Sequence, residues 1–206
     1  SVFRPRGYRL RNGLAASGSR DLLERDVAVL PGGMRVTTPL RTACDLGRLL
    51  HRDQAMAALD ALVRDTELEV PQLQAEADRF KGFRGVRQLR SLAPLADGRA
   101  QSPGESILRL RWLDCTELPS PEPQLEVTGP SGSFYLDLGL RVPRFAAEYD
   151  GEAWHGPDRA AHDTHRRRWI EQELGVTVCV ARREHLFGPR PALTQMVRDG
   201  FFTACS

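Results

Sequence analysis

Lysine is almost absent from this sequence, and its cysteines are not paired. Lys81 is the single lysine in 206 residues, and every other basic side chain is arginine. The cysteines form no Cys-x-x-Cys motif, which argues against a zinc site or a disulfide framework and favours a reducing, cytoplasmic setting. We interpret the four cysteines as packing residues: Cys44, Cys115, Cys179 and Cys205.

Long apolar runs and a large net charge are also absent. No stretch approaches the roughly 18 apolar residues that cross a bilayer, so we expect no membrane span. The formal net charge of +2 argues against a protein that binds polyanions with its whole surface. Arginines nonetheless concentrate at 4–11, 79–90 and 159–168. A guanidinium can bind two phosphate oxygens at once, although a solvated surface is the simpler interpretation of any one arginine.

The apolar pattern divides the chain into two regions. Residues 1–40 alternate short apolar stretches with Gly and Pro, which is typical of short strands and turns. Apolar residues then recur at helical spacing as far as residue 95, and Thr38-Pro39 is typical of a helix start. Because residues 96–99 are polar, we place a boundary there. The sequence predicts a mostly helical region with short N-terminal strands at 1–96 and a second domain at 97–206.

The second region changes to a strand-like period. A helix is predicted after Ser102-Pro103, followed by strands at 124–128, 133–140 and 144–149. The turns between these strands are short enough for antiparallel pairing, with one of them near Val142-Pro143. A long arginine-rich helix over 158–174 and an apolar strand at 176–180, buried on both faces, complete the domain. The predicted fold class is α+β, with an αβββαβ order in the C-terminal domain.

An acidic cluster is the strongest functional signal. Asp137 lies between apolar strand neighbours, where burying an unpaired carboxylate costs several kcal/mol. Glu148 would lie roughly opposite Asp137 in a hairpin, and the two like charges then need a cation between them. Mg²⁺ prefers oxygen ligands at about 2.0–2.1 Å and typically uses one or two carboxylates. Asp150, on the same strand face as Glu148, adds a third acid, and Glu105 could supply a fourth.

Two stretches resemble known families. Residues 35–46, RVTTPLRTACDL, resemble the middle segment of AbiEi-type antitoxin-like proteins, which often carry a nuclease-like domain at their C-terminus. About half of the chain resembles the very-short-patch-repair (Vsr)-like endonucleases of the PD-(D/E)xK superfamily. The residues that carry this second resemblance are Glu105, Asp137, Glu148, Tyr149, Asp150, Gly151, Trp154, His155, Asp163 and Arg166–Arg168.

The resemblance implies a restriction-endonuclease-like fold and an Mg²⁺- or Mn²⁺-dependent endonuclease that acts on DNA. It makes Asp137 and Glu148 the metal ligands. It also makes Glu105 an acid that orients water or metal, and His155 a general base. One departure is that Asp150 stands where the superfamily has a lysine that activates water and stabilises the pentavalent phosphate.

Arginines near the cluster are the other candidates for site residues. His155 or one of these arginines would have to replace the missing lysine, and the arginines are also candidate contacts to DNA phosphates. Their simpler interpretation is a solvated helix face. The three arginines are Arg166, Arg167 and Arg168.

Each of the other site residues also has a structural interpretation. Glu105 in a first helical turn is favoured by the helix dipole alone. A lone histidine such as His155 is more often a hydrogen-bonded structural residue, and the carboxylate of Asp137 could simply pair with an arginine such as Arg166.

Three functions follow from these alternatives. The first is a metal-dependent DNA endonuclease. The second is a catalytically inactive nuclease fold that serves as a DNA-binding or antitoxin-like regulator, with a toxin or another regulator as its protein partner. The third is a protein–protein module whose acids pair only with arginines.

Overall fold

The computed structural model describes residues 22–129, 132–151, 167–187 and 192–206. These residues form helices, one two-stranded sheet and one four-stranded sheet, so the protein has the predicted α+β class. The chain divides into two compact units, Ser1–Thr42 and Ala43–Ser206. In the ranges described, no helix is both long enough and apolar enough to cross a membrane.

The described part of the first unit, residues 22–42, is built on a short hairpin. Strands β1 (Val27–Val29) and β2 (Arg35–Thr37) pair in antiparallel fashion after a 3-10 turn. The Arg41 guanidinium donates to the Asp26 carboxylate over 3.1 Å, and both side chains are buried. This ion pair links the start of the hairpin to the first turn of the following helix.

Helix starts follow the capping residues that the sequence predicts. The Thr38 hydroxyl accepts from the backbone N–H of Arg41 at 3.3 Å, and the Ser102 hydroxyl accepts from that of Glu105 at 3.2 Å. Five helices precede the large sheet: α1 (Pro39–Leu49), α2 (Arg52–Asp65), α3 (Val70–Ala77), α4 (Val86–Leu92) and α5 (Pro103–Leu113).

A buried ion pair joins α2 to α5 inside the second unit. Asp60 is fully buried, and its two carboxylate oxygens accept from Nη2 of Arg109 at 2.8 and 2.9 Å. The backbone N–H of Asp97 donates to the same carboxylate at 2.8 Å. The helices of the region before residue 96 therefore contact the helix that begins the C-terminal region. The domain boundary at 96–97 stays a prediction.

The four-stranded sheet has the order β3-β4-β5-β6, and its last pair is parallel. A helical run at residues 167–174, α6, connects β5 to β6, so the predicted αβββαβ element order is observed. Two further helices, which the sequence analysis did not predict, complete the chain: α7 (Arg183–Phe187) and α8 (Ala192–Ala204). The strands are β3 (Glu122–Gly129), β4 (Gly132–Leu140), β5 (Phe145–Asp150) and β6 (Thr177–Arg182).

Helices cover both faces of this sheet. On one face, α5 and α8 bury Trp112, Phe145 and Phe201 in a common core, with the Trp112 and Phe145 ring centroids 5.1 Å apart. On the other face, Ile170 of α6 is fully buried, and the Trp169 and Phe134 ring centroids are 5.2 Å apart. These two layers hold the strands that carry the predicted acidic cluster.

Two sequence predictions about burial are wrong. Strand β6 is not buried on both faces, because Val178 and Val180 are only half-buried. It is the edge strand of the described sheet, which leaves it partly uncovered. Cys205 is exposed instead of packed, since it follows the last residue of α8. The other three cysteines are buried as predicted.

Candidate functional site

The β4–β5 hairpin brings Asp137 and Glu148 onto adjacent strands. The ladder runs from Leu140↔Phe145 to Leu138↔Ala147, and the same register carried one residue further places position 137 opposite 148. The backbone ladder stops there. The Asp137 carboxylate instead accepts from the backbone N–H of Tyr149, with Oδ2 and N 2.7 Å apart. The hydrogen bond fixes Asp137 beside Tyr149, the residue that follows Glu148.

Glu148 is a buried carboxylate, with 5% of its surface exposed. Burying a charged carboxylate is costly unless a charge or hydrogen-bond donor compensates it. Nε of Arg167 lies 3.3 Å from Oε2 of Glu148, and Nη2 of Arg167 lies 3.2 Å from Oδ2 of Asp150. The two acids are two residues apart on β5, so they share a strand face. Arg167 therefore bridges Glu148 and Asp150.

The helical period of α6 explains why Arg167 reaches these acids. Arg167, Ile170 and Leu174 are spaced i, i+3 and i+7, so they lie on one helix face, and Ile170 is packed in the core beneath the sheet. Arg168, one residue further on, is exposed. The arginines predicted to act together thus have different surroundings, and Arg166 lies outside the described residues.

Glu105 lies in the first turn of α5, next to the end of β5. A Cβ on Gly104 would overlap the ring of Tyr149, so this helix turn packs directly on that strand residue. The Glu105 carboxylate accepts from the backbone N–H of Gln101 at 2.9 Å and from the side-chain amide of Gln124 at 3.0 Å. The Glu105 carboxylate is therefore held by the amide groups of Gln101 and Gln124. His155, the candidate general base, lies outside the described residues.

The sequence analysis missed two of these contacts. The i, i+3, i+7 pattern of Arg167, Ile170 and Leu174 could have identified Arg167 as a side chain facing the sheet. The position of Gln124 had no comparable signal, since its left-handed backbone, with φ of 53°, is unusual for a non-glycine residue.

Carboxylate oxygens are the donors that a hard divalent cation prefers. Among the described residues, no group of three or more His, Cys, Asp and Glu side chains is arranged to hold a metal ion. Asp137 and Glu148 remain as a pair of carboxylates, and one or two carboxylates are the number that Mg²⁺ typically uses beside water and phosphate oxygens. A metal ion at this pair would meet the guanidinium of Arg167 on the Glu148 side.

A separate pocket of about 430 Å³ opens elsewhere on the second unit. Arg52 pairs with Asp114 at 2.7 Å, and Arg111 pairs with Asp53. Because each arginine in the lining is neutralised by an aspartate, the pocket offers little unbalanced charge to select an ionic ligand. The acids of the β4–β5 hairpin are not part of its lining, which is His51, Arg52, Asp53, Arg111, Asp114, His185, Leu186, Ala192, Leu193 and Thr194.

Comparison with known proteins finds relatives without an assigned activity. No protein-family model matches the chain, and no solved structure matches it. The chain is 38% identical over 149 residues to the uncharacterized proteins Rv2248 and MT2308, from two strains of Mycobacterium tuberculosis. The match covers 71% of this chain and 54% of each relative, so the chain spans about half the length of the curated relatives it matches.

Proposed function

We propose that the second unit is a metal-dependent nuclease domain that hydrolyses phosphodiester bonds in DNA, with Asp137 and Glu148 as ligands of Mg²⁺ or Mn²⁺. The observation that carries the proposal is the hydrogen bond from the Tyr149 N–H to Asp137, which holds the Asp137 carboxylate at the backbone of the residue that follows Glu148 on the neighbouring strand. Two adjacent carboxylates repel each other unless positive charge lies near them. A divalent cation meets that need and polarises a phosphate oxygen.

The proposal assigns a role to three residues of the hairpin and to one arginine of α6. Asp137 and Glu148 hold the metal ion, which supplies the Lewis acid and the activated water when it is bound. The Tyr149 N–H fixes the orientation of the Asp137 carboxylate. The exposed guanidinium of Arg168 is available for the DNA backbone, where arginine contacts position a duplex without reading its sequence.

A cleavage assay with matched variants tests this function. Supercoiled plasmid and single-stranded DNA are incubated with the purified chain in Mg²⁺, Mn²⁺ or EDTA. The unmodified chain should cleave DNA in either metal and not in EDTA, and Asp137→Asn and Glu148→Gln should both abolish cleavage. Glu126→Gln is the matched control, because it removes an exposed carboxylate from the neighbouring strand β3, and it should cleave normally.

Two results would contradict the proposal. One is equal cleavage by the unmodified chain and by Asp137→Asn, which would identify a contaminating nuclease. The other is the absence of metal-dependent cleavage on every DNA substrate.

A second function is favoured by the bridge between Arg167 and the acids. Glu148 and Asp150 are already compensated by a guanidinium, and Asp150 occupies the position that is a lysine in the nuclease superfamily that the sequence resembles. Both features suit a catalytically inactive nuclease fold that binds DNA as an antitoxin-like regulator, with a toxin or another regulator as its partner. Retarded migration of DNA with the chain, without cleavage in Mn²⁺, would support this second function over the first.

A further inference from the structure

We propose that Arg167 is an internal counter-cation, which a divalent metal ion bound at Asp137 and Glu148 must displace from Glu148, and that the displaced guanidinium then binds a DNA phosphate. The inference rests on the proposed function, because it assigns a regulatory role at the same site. Arg167 thus couples metal binding to DNA binding.

Arg167 makes few hydrogen bonds to its carboxylate partners, so a metal ion can displace it. Nη2 donates a hydrogen bond to Asp150 at 3.2 Å. Nε lies 3.3 Å from the Glu148 carboxylate, yet it is buried and makes no hydrogen bond within the described ranges. Nε of Arg109 also lacks a hydrogen bond to the described residues, but the Nη atoms of Arg109 donate two hydrogen bonds to Asp60 and one to the backbone carbonyl of Leu95, whereas Arg167 donates one to Asp150. An arginine with incomplete hydrogen bonding loses less when it leaves its partners.

Exposure gives the guanidinium a path outward. The exposed fraction of the side chain is 20% for Arg167, 39% for Asp150 and 7% for Glu148. The guanidinium therefore lies between a buried carboxylate and a partly solvated one. Its backbone stays in place because Ile170 and Trp169 of the same helix are packed against the sheet. Only the long side chain has to move.

Charge favours the exchange once a metal ion arrives. A divalent cation would bring two positive charges to Glu148, to which Arg167 now supplies one, and it would bond the carboxylate oxygen at shorter distance than a guanidinium does. While Arg167 remains, its charge repels the incoming ion from about 4 Å away, a distance at which unit charges near a protein surface interact appreciably. Of its two carboxylate partners, the displaced guanidinium keeps the partly solvated Asp150, and solvent-exposed ion pairs contribute little. A phosphate is then the natural acceptor, since arginine binds phosphate oxygens bidentately.

Calorimetric titration of the full chain with Mn²⁺ tests the first step. Arg167→Met removes the charge and keeps a long side chain, so it should bind Mn²⁺ about tenfold more tightly than the unmodified chain. Arg167→Gln is a second neutral variant, with the same expected gain. Arg167→Lys retains the charge and should bind Mn²⁺ as the unmodified chain does. Arg87→Met, which removes an exposed charge on α4, outside the β4–β5 hairpin and α6, is the matched control and should leave the Mn²⁺ affinity unchanged.

DNA binding tests the second step. The affinity for a duplex oligonucleotide is measured by fluorescence anisotropy with and without saturating Mn²⁺. The gain in DNA affinity on adding Mn²⁺ should be smaller in Arg167→Met than in Arg87→Met, because only the first variant lacks the side chain that the metal releases.

The outcomes separate this inference from the nuclease proposal. If folded Arg167→Met and Arg167→Gln bind Mn²⁺ no more tightly than the unmodified chain, or if no protein in the series binds Mn²⁺, the inference is overturned. An equal Mn²⁺-dependent gain in DNA affinity for Arg167→Met and Arg87→Met overturns the coupling to DNA. If the affinity pattern appears but DNA is never cleaved, the inference stands and the nuclease function fails.

Discussion

Removing Asp60 should destabilise the second unit more than any exposed acidic substitution. Asp60 is fully buried and Arg109 is 4% exposed, so Asp60→Ala leaves a guanidinium buried without its counter-charge. The variant also deprives the backbone N–H of Asp97 of its acceptor. Removing one partner of a buried ion pair costs about 3–5 kcal/mol of unfolding free energy. We expect a loss in this range for Asp60→Ala.

The Asp60–Arg109 ion pair should nevertheless add little net stability. Burial raises the pKa of Asp60 above its ordinary value even though Arg109 opposes the shift, so the cost of desolvation exceeds the attraction between the charges. The double variant Asp60→Leu with Arg109→Met, which removes both charges, should therefore be less destabilised than Asp60→Ala alone. Its loss should also be well below the sum of the two single variants.

The raised pKa of Asp60 also determines how this residue makes the stability of the fold depend on pH. The folded chain holds the Asp60 proton to a higher pH than the unfolded chain does. The stability that this proton contributes is fully present below the unfolded pKa and is lost as pH rises through the folded pKa. Asp60→Asn, which does not titrate, should lack this component of the pH dependence.

Urea denaturation followed by far-ultraviolet circular dichroism measures these differences. Asp65→Ala is the control, because Asp65 lies on the same helix but in solvent, and it should unfold at nearly the same urea concentration as the unmodified chain. A loss below about 1 kcal/mol for Asp60→Ala would show this expectation to be wrong, since it falls under the range for a broken buried pair. A double variant whose loss of unfolding free energy equals the sum of the losses of the two single variants would do the same.

Three further variants or modifications test packing in the second unit. Gly104→Ala should cost about 1–3 kcal/mol in urea denaturation, because its Cβ would overlap the Tyr149 ring. Gly85→Ala should cost more than about 1 kcal/mol in the same assay, since Gly85 has a φ of +77° and its Cβ would overlap a backbone carbonyl of α1. Burial raises the pKa of the Cys179 thiol to about 11, so mass spectrometry after brief iodoacetamide treatment near neutral pH should find exposed Cys205 labelled and Cys179 unlabelled.

The elements of the fold were predictable wherever local chemistry determines them. Thr38-Pro39 and Ser102-Pro103 begin helices because a hydroxyl caps the first turn and proline suits its first position. The turn near Val142-Pro143 separates two strands that pair as predicted. Each of these predictions uses residues close together in the sequence.

The details of the candidate site were less predictable because they depend on distant residues. The register suggested that Asp137 and Glu148 lie on facing strands, but not that the Tyr149 N–H would bond to Asp137 instead of extending the ladder. The bridge from Arg167 to Glu148 and Asp150 depends on how α6 packs on the sheet, which its sequence period indicates only once the sheet is known.

A divalent cation held by the carboxylates of the β4–β5 hairpin is the proposal on which the others depend. The most direct test is a crystal of the full chain soaked in Mn²⁺ and measured at a wavelength where manganese scatters anomalously. We expect an anomalous peak at coordination distance from oxygens of both Asp137 and Glu148, with the Arg167 guanidinium moved away from Glu148. Crystals that bind no manganese at this pair, with Arg167 still bridging Glu148 and Asp150, would contradict it.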